Sequence, residues 1–271
     1  MAAGLEKTKR RIVSISSTKK ITKAMGMIAS VKLLGAKRKV EQAGYAYDCS
    51  SSILSSLCHF LPPESPYFQK KEGKRLLICF GSDLGLCGAY NSEAYKEAIS
   101  LLKEGDVICP IGKKMENRLG KLGHEIVSLD LNSPRALQKT ASKLLESFLN
   151  GEYAEIGVVA THYVNSLKFK PGYARLLPLE YKKPPCEVVP LRADASGELE
   201  KRAALLSLLS CLNYLKEDSS LSEQNSRRNA MDEAKDNADE LLRKLQVEYN
   251  KARQGAITQE IVEVVSGSKG A

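Results

Sequence analysis

The sequence predicts an α/β protein: a long antiparallel coiled coil of N- and C-terminal helices plus a central small α/β domain. Three observations predict it. All ten prolines fall between Pro62 and Pro190, and glycine is absent between Gly197 and Gly255. Small and apolar residues recur at three- and four-residue spacing at both ends, while the middle alternates short apolar runs with amphipathic ones. Proline and glycine end helices, so their partition divides the chain into 1–60 (N-terminal coiled-coil helix), 61–197 (central α/β domain) and 198–271 (C-terminal coiled-coil helix).

The first helix carries a seam of Ile12, Ile15, Ile21, Ala24 or Met25, Ile28, Val31 and Leu34 or Gly35. The last carries Met231, Ala234, Ala238, Leu241, Leu245, Tyr249, Ala252 and Ala256, close to a coiled-coil repeat. Several of these residues are Ala or Gly, which lets helix axes approach closely. A helix over 200–265 reaches about 100 Å and one over 3–58 about 80 Å. A compact domain of this size is about half as wide, so the two are expected to protrude as an antiparallel pair. The alternative is a bundle of shorter helices broken at Gly26, Gly35, Gly44 and the Ser219–Ser222 stretch. Between the ends, Leu76–Phe80, Val107–Ile111, Glu125–Leu129 and Ile156–Ala160 read as buried strands. Asn91–Lys103, Lys113–Leu122 and Pro134–Leu149 read as the intervening helices, giving a small parallel or mixed sheet covered on its faces. Pro184, Pro185 and Pro190 mark the exit towards the last helix.

The net charge of +9 is concentrated. Residues 1–40 hold eleven bases and one acid, Glu6, which leaves 30 bases against 31 acids elsewhere. A basic arm on a neutral body seeks a polyanion: nucleic acid, an anionic membrane surface or an acidic protein surface. An apolar share of 43% excludes a disordered chain, and the sequence has no run of about eighteen apolar residues to span a membrane. The N-terminus has no apolar signal-peptide region. Seven cysteines (Cys49, Cys58, Cys79, Cys87, Cys109, Cys186, Cys211) without a CxxC pair argue against a disulfide framework or zinc site and for reduced thiols.

Chemistry has few candidates. Gly81-Ser-Asp-Leu-Gly-Leu-Cys-Gly88 follows a strand and precedes a helix, the place of a phosphate cradle. It lacks the P-loop ending and the dinucleotide spacing, so a tight strand-to-helix turn is the better reading. Cys87 in that loop has no histidine near it in sequence, although approach to His124 or His162 stays open. His59, His124 and His162 are isolated. The acid pairs Asp232/Asp236 and Asp236/Glu240 belong to a solvated helix face beside Lys235 and Lys244. No catalytic, cofactor or metal site is expected.

Lys20-Ile-Thr-Lys-Ala-Met-Gly-Met-Ile-Ala-Ser-Val-Lys32 resembles the N-terminal signature of the gamma subunits of F-type, proton-translocating ATP synthases. Gly85-Leu-Cys-Gly88 with Asn91 resembles their glycine loop. Ser222-Glu-Gln224, Arg227, Ala230-Met231 and Asp236-Asn-Ala238 resemble the start of their C-terminal signature, and the run from Leu245 to Gly267 resembles its end. Leu84 stands where the family has a basic residue. Asn225-Ser226 and Arg228-Asn229 replace smaller or apolar residues, and Leu191–Gly197 lacks the family's acidic-proline pattern. No inserted redox-cysteine segment and no transit peptide are evident.

The resemblance implies a Rossmann-like central domain and the role of central rotor shaft, itself non-catalytic and without cofactor or metal. The coiled coil then stands inside a ring of alpha and beta subunits that carry the nucleotide sites. The globular part meets the membrane c-ring and the epsilon subunit. The protein then lies peripherally on the cytoplasmic side of the bacterial inner (plasma) membrane, attached only through the complex. By matching positions, Arg253, Gln254 and Thr258 contact the catch loops of the beta subunits, and Lys23 and Met25 lie on the opposing helix at that level. The rival from another class is a nucleic-acid-binding α/β protein with a basic helical arm. It needs aromatic residues for base stacking, and residues 1–40 contain none. An enzyme using Cys87 is a further alternative.

Overall fold

The computed structural model describes residues 2–58, 64–181 and 197–268. His59, Cys186, the prolines at 184, 185 and 190, and the stretch 191–196 lie outside them. The elements are α1 (Ala2–Leu57), β1 (Arg75–Phe80), α2 (Tyr90–Leu101), β2 (Val107–Ile111), α3 (Lys113–Leu119), β3 (Glu125–Ile126), α4 (Pro134–Leu149), β4 (Glu155–Tyr163), β5 (Phe169–Leu177) and α5 (Glu198–Ser268). The chain divides into two compact units, Val31–Ser226 and Met1–Ser30 with Arg227–Ala271. Both long helices are unbroken, α1 over 56 residues and α5 over 71. The shorter-helix bundle is thereby excluded.

The larger unit is built on a mixed sheet of order β3-β2-β1-β4-β5. β3, β2, β1 and β4 run parallel, and β5 returns antiparallel to β4. Side chains alternate across the strands, so both faces are buried. One face sets Leu76, Ile78, Val107, Cys109, Ile156 and Val158 against Leu137, Leu144 and Phe148 of α4 and Leu208 and Leu212 of α5. The other sets Leu77, Cys79, Ile108 and Val159 against Ala94 and Ala98 of α2 and Met115 and Leu119 of α3. Each fully buried Leu, Ile or Phe contributes about 1.5–3 kcal/mol. The start of α4 is fixed locally: the Ser133 hydroxyl accepts from the Ala136 amide at 3.1 Å and Pro134 occupies the first turn.

Two differences from the sequence expectation concern strands. β3 is only Glu125–Ile126. The nine-residue β5, which contains Pro171 and Gly172, is a strand beyond those the sequence predicts. β5 is an edge strand bonded to β4 alone, where a residue without an N–H is tolerated.

The long helices pair antiparallel in both units, each judged by its own contacts. In the larger unit Leu33 and Ala36 cluster with Leu221, Tyr47 stacks on Tyr214 at 5.7 Å, and Ser50 Oγ meets Ser210 Oγ at 2.5 Å. In the smaller unit Lys19 pairs with Asp239, and the Gly26 position faces Met231 Cβ and Asp232 Oδ1. The partner's number falls as its own rises. Met231, Ala238 and Leu245 are buried at seven-residue spacing, a heptad position.

The expected seam of α1 has the correct period; Ile12, Ile15 and Met25 lie on the inward stripe, whereas Ile21, Ile28, Val31 and Leu34 fall one position out of phase. Thr22 and Ala29 are buried, and Gly26 is against α5. Ile21 and Ile28 are 60% and 57% exposed, and Val31 and Leu34 are exposed as well. One residue is about 100° around a helix, so the bulky residues stand beside the seam rather than in it. A Cβ at Gly26 would lie 3.5 Å from Met231 Cβ. Such an approach admits Gly, Ala and Thr but not a large aliphatic residue. On α5 the same slip affects Leu241, which is 48% exposed, while Leu242 turns half inward.

Candidate functional site

The glycine loop after β1 is tied to β2 and α2. Gly81 N donates to Ile111 O at 2.8 Å, Ser82 N to Asn91 Oδ1 at 3.0 Å and Tyr90 N to Cys87 O at 3.2 Å. The turn is tight: Gly112, at φ 91°, would bring a Cβ within 2.5 Å of Gly81 O. Cys87 is 2% exposed, and its sulfur accepts from Asn91 Nδ2 at 3.0 Å. His124 Nδ1 lies against Asp106 O and His162 Nδ1 against Asp218 Oδ2, so neither histidine is placed as a base for the thiol. Leu84 and Leu86 of the loop are exposed.

Sheets of this winding hold ligands outside the carboxyl ends of the strands, where the chain turns to either side of the first strand. Here β1 lies between β2 and β4, and α5 occupies that crevice. Ser219 Oγ accepts from Thr161 N at 3.3 Å and meets Tyr90 Oη at 2.9 Å. Ser222 Oγ donates to Thr161 O at 2.9 Å, and Ser226 Oγ to Cys87 O at 2.7 Å. The serines of α5 thus take both backbone groups of Thr161 in β4 and the Cys87 carbonyl of the glycine loop.

Other candidates for chemistry are partnered. Burial pushes the Cys79 and Cys109 thiols up to about 12 and Cys211 up to about 11, which suppresses the thiolate. Asp232, Asp236 and Glu240 each pair with a base on α5: Arg228, Lys235 and Lys244. Among the described residues no cluster of His, Cys, Asp and Glu is suited to a metal ion, and no helix is long and apolar enough to cross a membrane.

The expected contact residues all fall in the smaller unit. Lys23 is exposed and Met25 half-buried; Arg253, Gln254 and Thr258 are exposed, and Thr258 Oγ1 donates to Gln254 O at 2.9 Å. The structure does not bring these two sets level. The pairing of Lys19 with Asp239 and of Gly26 with Met231 puts Lys23 and Met25 opposite residues near 233–235. Continued, the same register brings Arg253 and Gln254 to the first turns of α1. The two levels are about 27 Å apart along the axis. Motif matching aligns residues with a family, and only the pairing register fixes their height.

The chain matches the family model described as "ATP synthase" over residues 4–270. It is 37% identical over 281 residues to the ATP synthase gamma chain of Clostridium kluyveri, covering 98% of both chains. The protein belongs to the ATP synthase gamma chain family. The gamma chain of Clostridium novyi (strain NT) is 36% identical over 280 residues, again with 98% of each covered. Solved structures agree on the fold. The rotor of the Euglena gracilis mitochondrial ATP synthase in rotational state 1 matches with a TM-score of 0.66 at 15% identity, over 95% of this chain and 100% of that one. The central stalk and c-ring structure from Tetrahymena thermophila matches with 0.60 at 23% identity, over 79% and 99%. For a gamma chain, the feature that the sequence hid is the outer face of α1. Ile21, Met27 and Ile28 are apolar and exposed beside Lys20 and Lys23. The signal was present as apolar periodicity and was assigned to the inner seam instead.

Proposed function

We propose that this gamma chain is the central rotor shaft of an F-type ATP synthase. It couples ion-driven rotation of the c-ring to conformational change at the beta subunits, and so to ATP synthesis or hydrolysis. The observation that carries this reading is the two-faced α1, with small residues towards α5 and bulky apolar residues interleaved with lysines on the outside. Exposed apolar positions of this kind mark a protein contact, and a basic, apolar surface suits a sleeve lined with acidic loops. The paired helical segments meet the alpha and beta subunits; the α/β unit meets the c-ring and epsilon. Bacterial relatives support a place on the cytoplasmic side of the plasma membrane, held there through the complex.

The role is non-catalytic. Supporting this, the first two amides of the glycine loop are bonded to Ile111 and Asn91, and α5 fills the crevice where a nucleotide binds in related sheets. Coupling then requires that the shaft bind different beta conformations with different affinity. Lys23 and Met25 make one set of contacts, and Arg253, Gln254 and Thr258 make another about 27 Å along the axis. At the second level Arg253 offers a directional, charge-assisted bond to a carboxylate.

Replacing Arg253 and Gln254 by Ala in the assembled complex tests the reading. Turnover or coupling is expected to fall about tenfold, as loss of one charge-assisted bond of about 1.5 kcal/mol implies, with nucleotide affinity of beta unchanged. Undiminished ion-driven synthesis refutes the assigned contacts. Steady ATP hydrolysis by the isolated chain refutes the non-catalytic role.

A further inference from the structure

One stretch of α5 contradicts the rule that a helix buries its apolar stripe. Asp218, Ser219, Ser222, Asn225 and Ser226 are buried, and they follow one another at helical spacing on a single face. This face continues the stripe that upstream consists of Leu208, Leu212 and Leu215. Each of the five polar side chains is bonded to a different backbone or side-chain group of the α/β unit. Asp218 Oδ1 accepts from Tyr163 N at 3.1 Å, and its Oδ2 lies 2.8 Å from His162 Nδ1. Ser219 and Ser222 grip the two backbone groups of Thr161 in β4. Asn225 Nδ2 donates to Ser166 O at 3.0 Å in the β4–β5 turn, and Ser226 reaches Cys87 O in the glycine loop.

We propose that Asp218, Ser219, Ser222, Asn225 and Ser226 are positioning residues of the rotor: their bonds fix the angle of α5 about its own axis on the sheet, so that torque enters the helix without slip. This rests on the shaft reading. Apolar packing is non-directional, and a stripe of leucines tolerates a small rotation. Hydrogen bonds do not. A side-chain oxygen lies about 5–6 Å from the helix axis, so a turn of about 20° moves it about 2 Å. That breaks bonds of 2.7–3.3 Å. The five residues spread over about 120° of the helix circumference, and their partners lie on β4, the β4–β5 turn and the glycine loop. Rotation in either sense therefore breaks some of the bonds.

The test uses the whole synthase reconstituted in vesicles, with two readings: ATP hydrolysis rate, and ions moved per ATP hydrolysed. The triple variant Ser219→Ala, Ser222→Ala, Ser226→Ala is expected to hydrolyse within about twofold of the parent while ions moved per ATP fall by about half. Ser226→Ala alone gives a smaller fall, and Ser226→Thr, which keeps the hydroxyl, restores the ratio. A purely structural role changes assembly and hydrolysis but not this ratio. Should the triple variant not assemble, the Ser226→Ala and Ser226→Thr pair gives the same reading. An unchanged ratio in assembled variants, or an equal fall with Ala and Thr, overturns the proposal. Absence of ion movement in the parent complex overturns the shaft reading instead.

Discussion

Within one unbroken helix, α5, the stretch over 198–226 and the stretch over 227–268 are held in different ways. The first buries Ala204, Leu208, Leu212 and Leu215 in the core of the α/β unit and Ser219, Ser222 and Ser226 in its polar seat. Beyond Arg227, the second buries Met231, Ala238 and Leu245 at heptad spacing among the described residues, and exposes Val247, Ile257, Ile261 and Val262. One stretch is completed by its own chain. The other keeps helical geometry through a narrow seam with α1 and leaves much of its apolar surface for other chains.

Truncating each stretch separates these roles most clearly. Leu212→Ala, at a fully buried position, is expected to lower unfolding stability by about 3 kcal/mol. Val247→Ala, at an exposed one, stays within about 0.5 kcal/mol. Urea unfolding followed by circular dichroism checks both, and equal losses would erase the distinction. The seam is tested at Gly26. Gly26→Leu forces a branched side chain against Met231 and is expected to cost about 1–3 kcal/mol. Gly26→Ala meets only ordinary contact at 3.5 Å and is expected to gain up to about 1 kcal/mol of helix propensity. If both changes were neutral on thermal melting, the close seam would be wrong.

The smallest effect concerns the Lys19–Asp239 pair. The bond from Lys19 holds the Asp239 carboxyl below its ordinary range. A depressed carboxyl contributes stability above its unfolded value and loses it as pH falls through the folded one. Asp239→Asn is therefore expected to lower the melting temperature slightly at neutral pH, with the difference closing in acid and shrinking with salt. A difference that grew in acid would contradict the pairing.

How far the sequence reveals this molecule depends on what each signal encodes. The boundaries of α4 were legible because Ser133 and Pro134 cap it locally. The long helices were legible because breakers are absent over a long span. Their facing was not: apolar periodicity selects the bulkiest stripe, Ile21 and Ile28, and close packing selected the neighbouring stripe of Thr22, Gly26 and Ala29. β5 was hidden because an edge strand accepts Pro171 where a central strand does not. The Ser219–Ser222 stretch reads as a weak point in a helix until its tertiary partners are known. For the proposed contacts, motif resemblance names Lys23, Met25, Arg253, Gln254 and Thr258, but only the pairing register separates their two levels.

The outward placement of Ile21, Met27 and Ile28 has a cost during biogenesis. A newly made copy without its sleeve presents a greasy ridge to the surrounding solution, and copies meeting ridge to ridge would clump. Production in step with the ring proposed to cover the ridge is thus a requirement written into the facing of a single helix.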